Sequence, residues 1–307
     1  MSLPAEFALI ARHFAPLAHP GGLGLLDDAA LLTPPAGREL VLAADAMVAG
    51  VHFLPNDPPE TIGRKLLRVN LSDLAAMGAE PIGYLMTIAL PREIGEDWLD
   101  PFARGLAEDQ RGFGLALFGG DTVSTSGPLV LSLTILGSVE PGRALRRAGA
   151  RPGDAVWVTG TIGDGWLGLR AARGELPDPE ARIAARYRLP TPRLAEGRAL
   201  IGIAHACMDV SDGLVQDLGH ICRASGCGAV IEAARIPLSP WAAGADIRDL
   251  IAGGDDYELL FAAPPEAPVA GLGATRIGRF IAGPPEVTVL DAKGAVLPLS
   301  RHGWSHR

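Results

Sequence analysis

The stretch PETIGRKLLRVNLSDLAAMGAEPIGYLMTIALP, residues 59–91, reads as a helix that runs into a strand. In residues 59–79 the apolar positions Ile62, Leu66, Val69, Leu71 and Leu74 recur at helical spacing near one side. Residues 81–91 (PIGYLMTIALP) are strand-like instead. Working outward, WLDPFARGLAEDQRGFG (98–114) predicts a second helix and GPLVLSLTILGSV (127–139) a second strand. Upstream, ELVLAADAMV (39–48) is a strand candidate, and Glu6 to Leu17 predicts a short opening helix. Strands and helices that alternate in this way argue for an α/β or α+β domain.

A basic, Gly/Pro-punctuated stretch, VEPGRALRRAGARPGD (139–154), reads as a linker. AVWVTG (155–160) then opens a second set of elements, with further strands expected at 229–233, 258–263 and 287–291. For 307 residues, two domains are expected, 1–140 and 141–307.

The chain is 48% hydrophobic and 20% charged, as soluble globular enzymes are. Its net charge of −8, with no basic cluster interleaved with aromatics, argues against nucleic-acid binding. An acidic protein that handles phosphates must find positive charge elsewhere, and a divalent metal is the obvious source. Cys207, Cys222 and Cys227 form no CxxC pair and read as free thiols of a reducing compartment. No apolar run is long enough to span a bilayer and no signal-peptide pattern opens the chain, so a cytoplasmic location without membrane association is expected.

What stands out is a repeated device in which Asp interrupts or ends an apolar run. It occurs at Asp27-Asp28 (LLDDAALL), Asp45 (LAADAMV), Asp73 (VNLSDLAAMG) and Asp121 (ALFGGDT). It recurs at Asp209 and Asp212 (CMDVSDGL) and at Asp255-Asp256 (IAGGDDYELLF). One such Asp is ordinarily a helix cap or a turn residue. Six places are harder to explain that way, because apolar flanks suggest buried backbone and Asp is depleted in strands. Two carboxylates about 4 Å apart repel by roughly 4 kcal/mol at an effective dielectric near 20, so convergence would require a cation. No His/Cys set has zinc spacing, and an all-oxygen donor set suits Mg²⁺ or Mn²⁺. Gly119-Gly120 just before Asp121 would let the backbone approach a ligand closely, with a plain tight turn as the alternative.

Other motifs carry less. No Walker A run is present. GDGWLG (163–168) matches GxGxxG after a strand, but no strand ending in an acid lies about 20 residues on, so a helix-opening turn is the better reading. His52, in AGVHFLP, is either a core histidine or a phosphate contact. Arg143, Arg146 and Arg147 are either a solvated linker or a phosphate clamp. Trp304, near the C-terminus, either packs on the surface or stacks on a flat ring.

The segments EFALIARHF, DDAALL, VAGVHFLP, VNLSDLAAMGA, GGDT, GRALRRAGARPGD, VTGTIGD, DVSDGL and GGDDYELLF occur in this order over nearly the whole chain. Together they resemble the thiamine-monophosphate kinase family of the aminoimidazole-ribonucleotide-synthetase-like superfamily. The combination of VAGxHF, NLSDLAAMGA and GGDDYEL is the most specific part.

The resemblance implies Mg²⁺- and ATP-dependent phosphorylation of thiamine monophosphate to thiamine diphosphate. It implies a two-domain fold whose N-terminal domain binds metal and ATP and pairs its sheet across a homodimer into a β-barrel. A C-terminal α+β domain would complete the active site. Carried over by motif, Asp28, Asp45, Asp73, Asp121, Asp209 and Asp212 would hold several Mg²⁺ ions. Gly120, Asp121, Arg147 and Ser211 would contact ATP; His52, Asp255 and Trp304 would contact the thiamine phosphate; Asp121 and Asp212 would be the catalytic acids.

Two positions depart from the family pattern: Leu26 stands where Gly usually precedes the paired acids, and Ala44 where a hydroxyl residue usually precedes Asp45. The alternatives are a superfamily member acting on a purine-pathway intermediate or on selenide, a non-catalytic thiamine-phosphate binder, and a metal-dependent phosphohydrolase. A selenide enzyme would carry a reactive Cys near its N-terminal glycine-rich segment, and none of the three cysteines lies there.

Overall fold

A computed structural model describes residues 5–305, which divide into two compact units. The first runs to Leu74 and resumes over Glu80–Pro141; the second comprises Ala75–Ala79 and the chain from Gly142 onward.

The first unit opens with α1 (Ala5–Leu9), which continues as one π turn (Ile10–Phe14) and a 3₁₀ turn (Ala15–Leu17). There follow β1 (Glu39–Val48), α2 (Pro59–Ala76), β2 (Glu80–Pro91), α3 (Glu96–Phe113), β3 (Ala116–Thr125) and β4 (Val130–Val139). The strands form one sheet in the order β1-β4-β2-β3, with β2 and β3 parallel and the other pairs antiparallel. One face of this sheet is the core, where Tyr84, Ile88, Leu131, Leu133 and Ile135 are fully buried.

Helix α2 was expected to be apolar on one side, yet it has no exposed residue: Leu67, Asn70, Ser72 and even Lys65 are buried with the expected set. Its polar groups are accommodated by bonds. Lys65 donates to the His52 carbonyl at 3.1 Å, and Asn70 donates to the Leu66 carbonyl at 2.9 Å. Buried Asp109 of α3 pairs with Arg64 and Arg68 of α2, which is what a buried charge requires. Close approach of the two helices depends on Gly63, whose Cβ would lie 2.6 Å from the Phe102 carbonyl oxygen. Helix α3 stops at Gly114, whose φ of 69° is the left-handed cap that glycine adopts without strain.

The second unit contains β5 (Ala155–Thr159), α4 (Asp164–Ala172), α5 (Arg182–Arg188), α6 (Leu194–Ala199), β6 (Ala206–Asp209) and α7 (Leu214–Ser225). It continues with β7 (Gly228–Glu232), α8 (Ile247–Ile251), β8 (Leu259–Ala263), β9 (Ala274–Ile281) and β10 (Val287–Leu290). Its six-stranded mixed sheet has the order β10-β7-β9-β5-β8-β6. Val156, Val158, Met208, Leu218, Ile221 and Leu260 belong to its core. Cys207, Cys222 and Cys227 are free and buried there; burial raises all three thiols and takes Cys222 up to about 12. GDGWLG is indeed a helix-opening turn, entering α4 through Gly163.

Two expectations need correction. The LLDDAALL run is not buried: Leu26 is 88% exposed, Leu31 is 68% exposed, and Asp27 and Asp28 are exposed as well. Water solvates these carboxylates, so their adjacency alone needs no cation. Gly119-Gly120 is not the tight turn that was the alternative reading, because β3 runs through both glycines and Asp121 to Thr125, paired in parallel with β2.

Candidate active site

In the first unit the paired acids and Asp121 share one cleft of about 530 Å³. Its floor is apolar (Leu85, Met86, Leu117 and Phe118), and Asp27, Asp28, Gly120 and Asp121 line it as well. The chain before the acids is tied along β3. The His19 amide donates to the Leu117 carbonyl at 2.7 Å, and the His19 ring stacks on Phe118 with centroids 4.5 Å apart. The Leu31 amide then donates back to the Gly21 carbonyl at 2.8 Å, closing the loop that carries the acids. A bulge at Tyr84/Leu85 shifts the β2–β3 register, so that Gly119 and Gly120 face Leu85 and Met86. A Cβ on Gly120 would overlap the Met86 carbonyl. Close strand approach therefore already requires glycine here, whatever ligand lies beyond it.

Asp45 and Asp73 lie elsewhere in this unit. The Asp45 amide donates to Asn70 Oδ1 at 3.2 Å, and Asp73 follows Asn70 by three residues on the same face of α2. Asp45 keeps solvent access, yet nearby atoms displace enough water to raise its carboxyl above the ordinary range. Asp45 pairs with Leu133, Leu133 with Met86, and Met86 with Gly120. Asp45 and the Gly120–Asp121 pair thus sit on opposite edge strands, three strand steps or roughly 14 Å apart. Asp121 pairs with exposed Thr87, one residue along and on the other face. The four acids expected to converge form two groups in this unit: Asp28 with Asp121, and Asp45 with Asp73. His52 Nδ1 accepts from the Val48 amide at 3.0 Å, which places the proton of the neutral ring on Nε2.

In the second unit β6 ends at buried Asp209, and the loop 210–213 leads into α7. One oxygen of Asp217 accepts from three successive amides: Ser211 at 3.0 Å, Asp212 at 3.1 Å and Gly213 at 3.1 Å. Burial raises the Asp217 carboxyl to about 7, with Asp209 and Asp212 adding to the rise and the amides of Gly213 and Asp212 opposing it. The Asp255 amide donates to the Ser211 carbonyl at 2.8 Å, and Asp255 holds a φ of 63°. Tyr257 donates its hydroxyl to Asp255 Oδ1 at 3.0 Å. Trp304, 50% exposed, donates its amide to the Asp212 carbonyl at 2.9 Å. Ser211, Asp212, Asp255 and Trp304 are therefore brought to one place. Arg147 lies near His220, where burial first and then Arg223 and Arg147 lower the imidazole pKa. Among the described residues, Asp212, Asp217 and His220 form one group whose donor atoms lie within 4.8 Å of one another.

The paired acids Asp255 and Asp256 separate by role. Asp256 is buried and accepts from the Gly163 and Gly165 amides at the start of α4. Burial raises its carboxyl well above the ordinary range although those amides oppose the rise. Sequence reasoning missed Asp217, Asn70, Gln216 and the pair of buried Glu258 with half-buried Arg193, bonded at 2.6 Å. Only Asp217 left a signal, an acid four residues after the Asp-Gly turn, where it can turn back onto loop amides.

Two domains of this order, an acid-lined four-stranded sheet unit followed by a mixed six-stranded one, define an AIR synthase related protein. The N-terminal domain family of AIR synthase related proteins matches residues 26–139, and the C-terminal domain family matches residues 151–290. The chain is 46% identical to the thiamine-monophosphate kinase of Caulobacter vibrioides over 99% of its length and 91% of the relative's. It superposes on the crystal structure of thiamine-monophosphate kinase from Stenotrophomonas maltophilia K279a with a TM-score of 0.81, at 41% identity, covering 89% of this chain and 91% of that one. AaThiL complexed with AMPPCP and TMP matches with a TM-score of 0.82 at 31% identity, over 94% and 97% of the two chains. The chain belongs to the thiamine-monophosphate kinase family.

Proposed function

We propose that this protein phosphorylates thiamine monophosphate to thiamine diphosphate at the expense of ATP. The observation that carries the reading is its full-length similarity to a relative complexed with AMPPCP and TMP, joined to the carboxylates that the two units display. An oxygen of the thiamine monophosphate phosphate attacks the γ-phosphorus in line, the new P–O–P bond forms, and ADP leaves. That nucleophile is already deprotonated near pH 7, so no general base is required; positioning two anions is the main task.

Asp28 and Asp121 in the cleft, Asp45 and Asp73 beside Asn70, and Asp209 and Asp212 in the second unit would hold Mg²⁺. Their all-oxygen donor sets fit a hard cation. When bound, Mg²⁺ supplies the positive charge that an acidic chain lacks against the phosphate oxygens. Asp121 and Asp212 are the catalytic acids in this reading, with Gly120, Arg147 and Ser211 contacting ATP. Neutral His52, Asp255 and exposed Trp304 contact the thiamine phosphate. In this reading residues 1–140 carry Asp28, Asp45, His52, Asp73, Gly120 and Asp121, and residues 141–307 carry the remaining contacts.

A homodimer joined through the first unit's sheet is supported by the outer face, which exposes Leu42 (61%), Val123 (44%) and Leu85 (41%). No helix of the described residues is long and apolar enough to cross a membrane, and a cytoplasmic location is part of this proposal. A panel of acceptors tests the reading. Thiamine monophosphate should be converted in the presence of ATP and Mg²⁺, while thiamine and purine-pathway intermediates should not. Conversion of a purine intermediate instead would overturn the assignment.

A further inference from the structure

We propose that Gln216 is a positioning residue that locks Trp304 and Asp212 into one rigid bracket for the thiamine phosphate. The proposal rests on the reading of Trp304 as a substrate contact. Gln216, in the first turn of α7, makes three bonds at once. Its backbone amide donates to the His302 carbonyl at 3.1 Å. Its side-chain amide donates to Asp212 Oδ2 at 2.9 Å and to the Trp304 carbonyl at 2.8 Å. The Trp304 amide returns a bond to the Asp212 carbonyl at 2.9 Å, which closes a ring of four hydrogen bonds around residues 212, 216, 302 and 304.

The segment 302–304 belongs to no helix or strand, and this ring ties its backbone to the first turn of α7. A side chain held by a single tether loses much more entropy on binding than one already fixed, so preorganisation of Trp304 appears as substrate affinity. The primary amide suits the task because its two N–H groups can serve a carboxylate and a carbonyl together. Glutamate would place a second negative charge against Asp212, and methionine would fill the space with no donor. The seat is also shaped from the other side. Gly303 lies so close that a Cβ there would stand 2.6 Å from Gln216 Cβ and 2.9 Å from the Asp212 carbonyl oxygen. Gly303 is thus part of the bracket.

Steady-state kinetics on the full chain test this with Gln216→Met, Trp304→Ala and the double variant. Gln216→Met should raise KM for thiamine monophosphate about ten-fold, as expected for two lost hydrogen bonds, and leave KM for ATP within about two-fold. The double variant should raise KM by less than the product of the two single effects, because both changes act on the same bracket. Gly303→Ala, which opens the bracket from the 302–304 side, should reproduce the KM effect and gives a second route if Gln216→Met folds poorly. If Trp304→Ala leaves KM unchanged, the substrate-contact reading fails. If Trp304→Ala raises KM while Gln216→Met and Gly303→Ala do not, or if the effects add fully, the bracket is refuted and that reading stands.

Discussion

Removing the Asp217 carboxylate should unlatch the loop that presents Ser211 and Asp212. One oxygen satisfies three amides, so Asp217→Ala leaves three donors without a partner. Gly213 is buried, whereas Ser211 and Asp212 are half-buried and can recruit water. At about 1–3 kcal/mol for a buried unsatisfied donor and less for the hydrated ones, the loss of stability should be about 2–3 kcal/mol. Asp217→Asn keeps an acceptor oxygen in place and should lose less than half of that. The two variants differ further with pH. The folded carboxyl titrates at about 7, mainly because it is buried. In the unfolded chain it titrates near 3.9. The folded state therefore holds this proton more tightly, so the stability contribution is full below about pH 4 and falls as pH rises toward 7. The gap caps the loss at about 4 kcal/mol, of which about 3 kcal/mol falls between pH 5 and pH 8. Urea unfolding in chelated buffer at several pH values reads both effects. Wild type should lose stability across that range, and Asp217→Asn should lose clearly less. An Asp217→Ala variant as stable as wild type near pH 5, where the wild-type carboxyl is still protonated, or an Asn variant with the wild-type pH slope, would refute the latch.

Asp121→Asn, at an exposed position, should lower kcat by orders of magnitude with Tm within about 2 °C of wild type; near-normal turnover would remove Asp121 from the catalytic centre. Leu42→Asp, on the exposed outer face of the first unit's sheet, should convert a dimer to a monomer in sedimentation velocity at micromolar concentration; a monomeric wild type, or an unchanged dimer, would refute that face as the interface.

The alternation of elements was legible because apolar spacing reports it directly, and β1, β2, β4, α2 and α3 lie close to their expected positions. The burial of α2 on every side was not legible, since Lys65, Asn70 and Ser72 look like a solvated face until their partners are known. The list of acids was readable as a repeated device, but its physical premise held unevenly. Asp209 and Asp256 are buried, while Asp28, Asp45 and Asp121 are exposed. Apolar neighbours in sequence do not fix burial when the segment is a loop or an edge strand. Asp217 and Gln216 escaped notice because their roles are bonds to backbone amides and carbonyls of other segments, up to 88 residues away in sequence for Gln216 and Trp304. Residue type and spacing carry no trace of the Gln216 pairings, and Asp217 shows only as an acid four residues after the Asp212-Gly213 turn.

The most direct test of the account is the stoichiometry of the reaction itself. Purified protein incubated with ATP, Mg²⁺ and thiamine monophosphate should form thiamine diphosphate and ADP in equal amounts, both abolished by removing Mg²⁺ and by Asp121→Asn. ADP and free phosphate without thiamine diphosphate, or tight binding of thiamine monophosphate with no turnover, would contradict it.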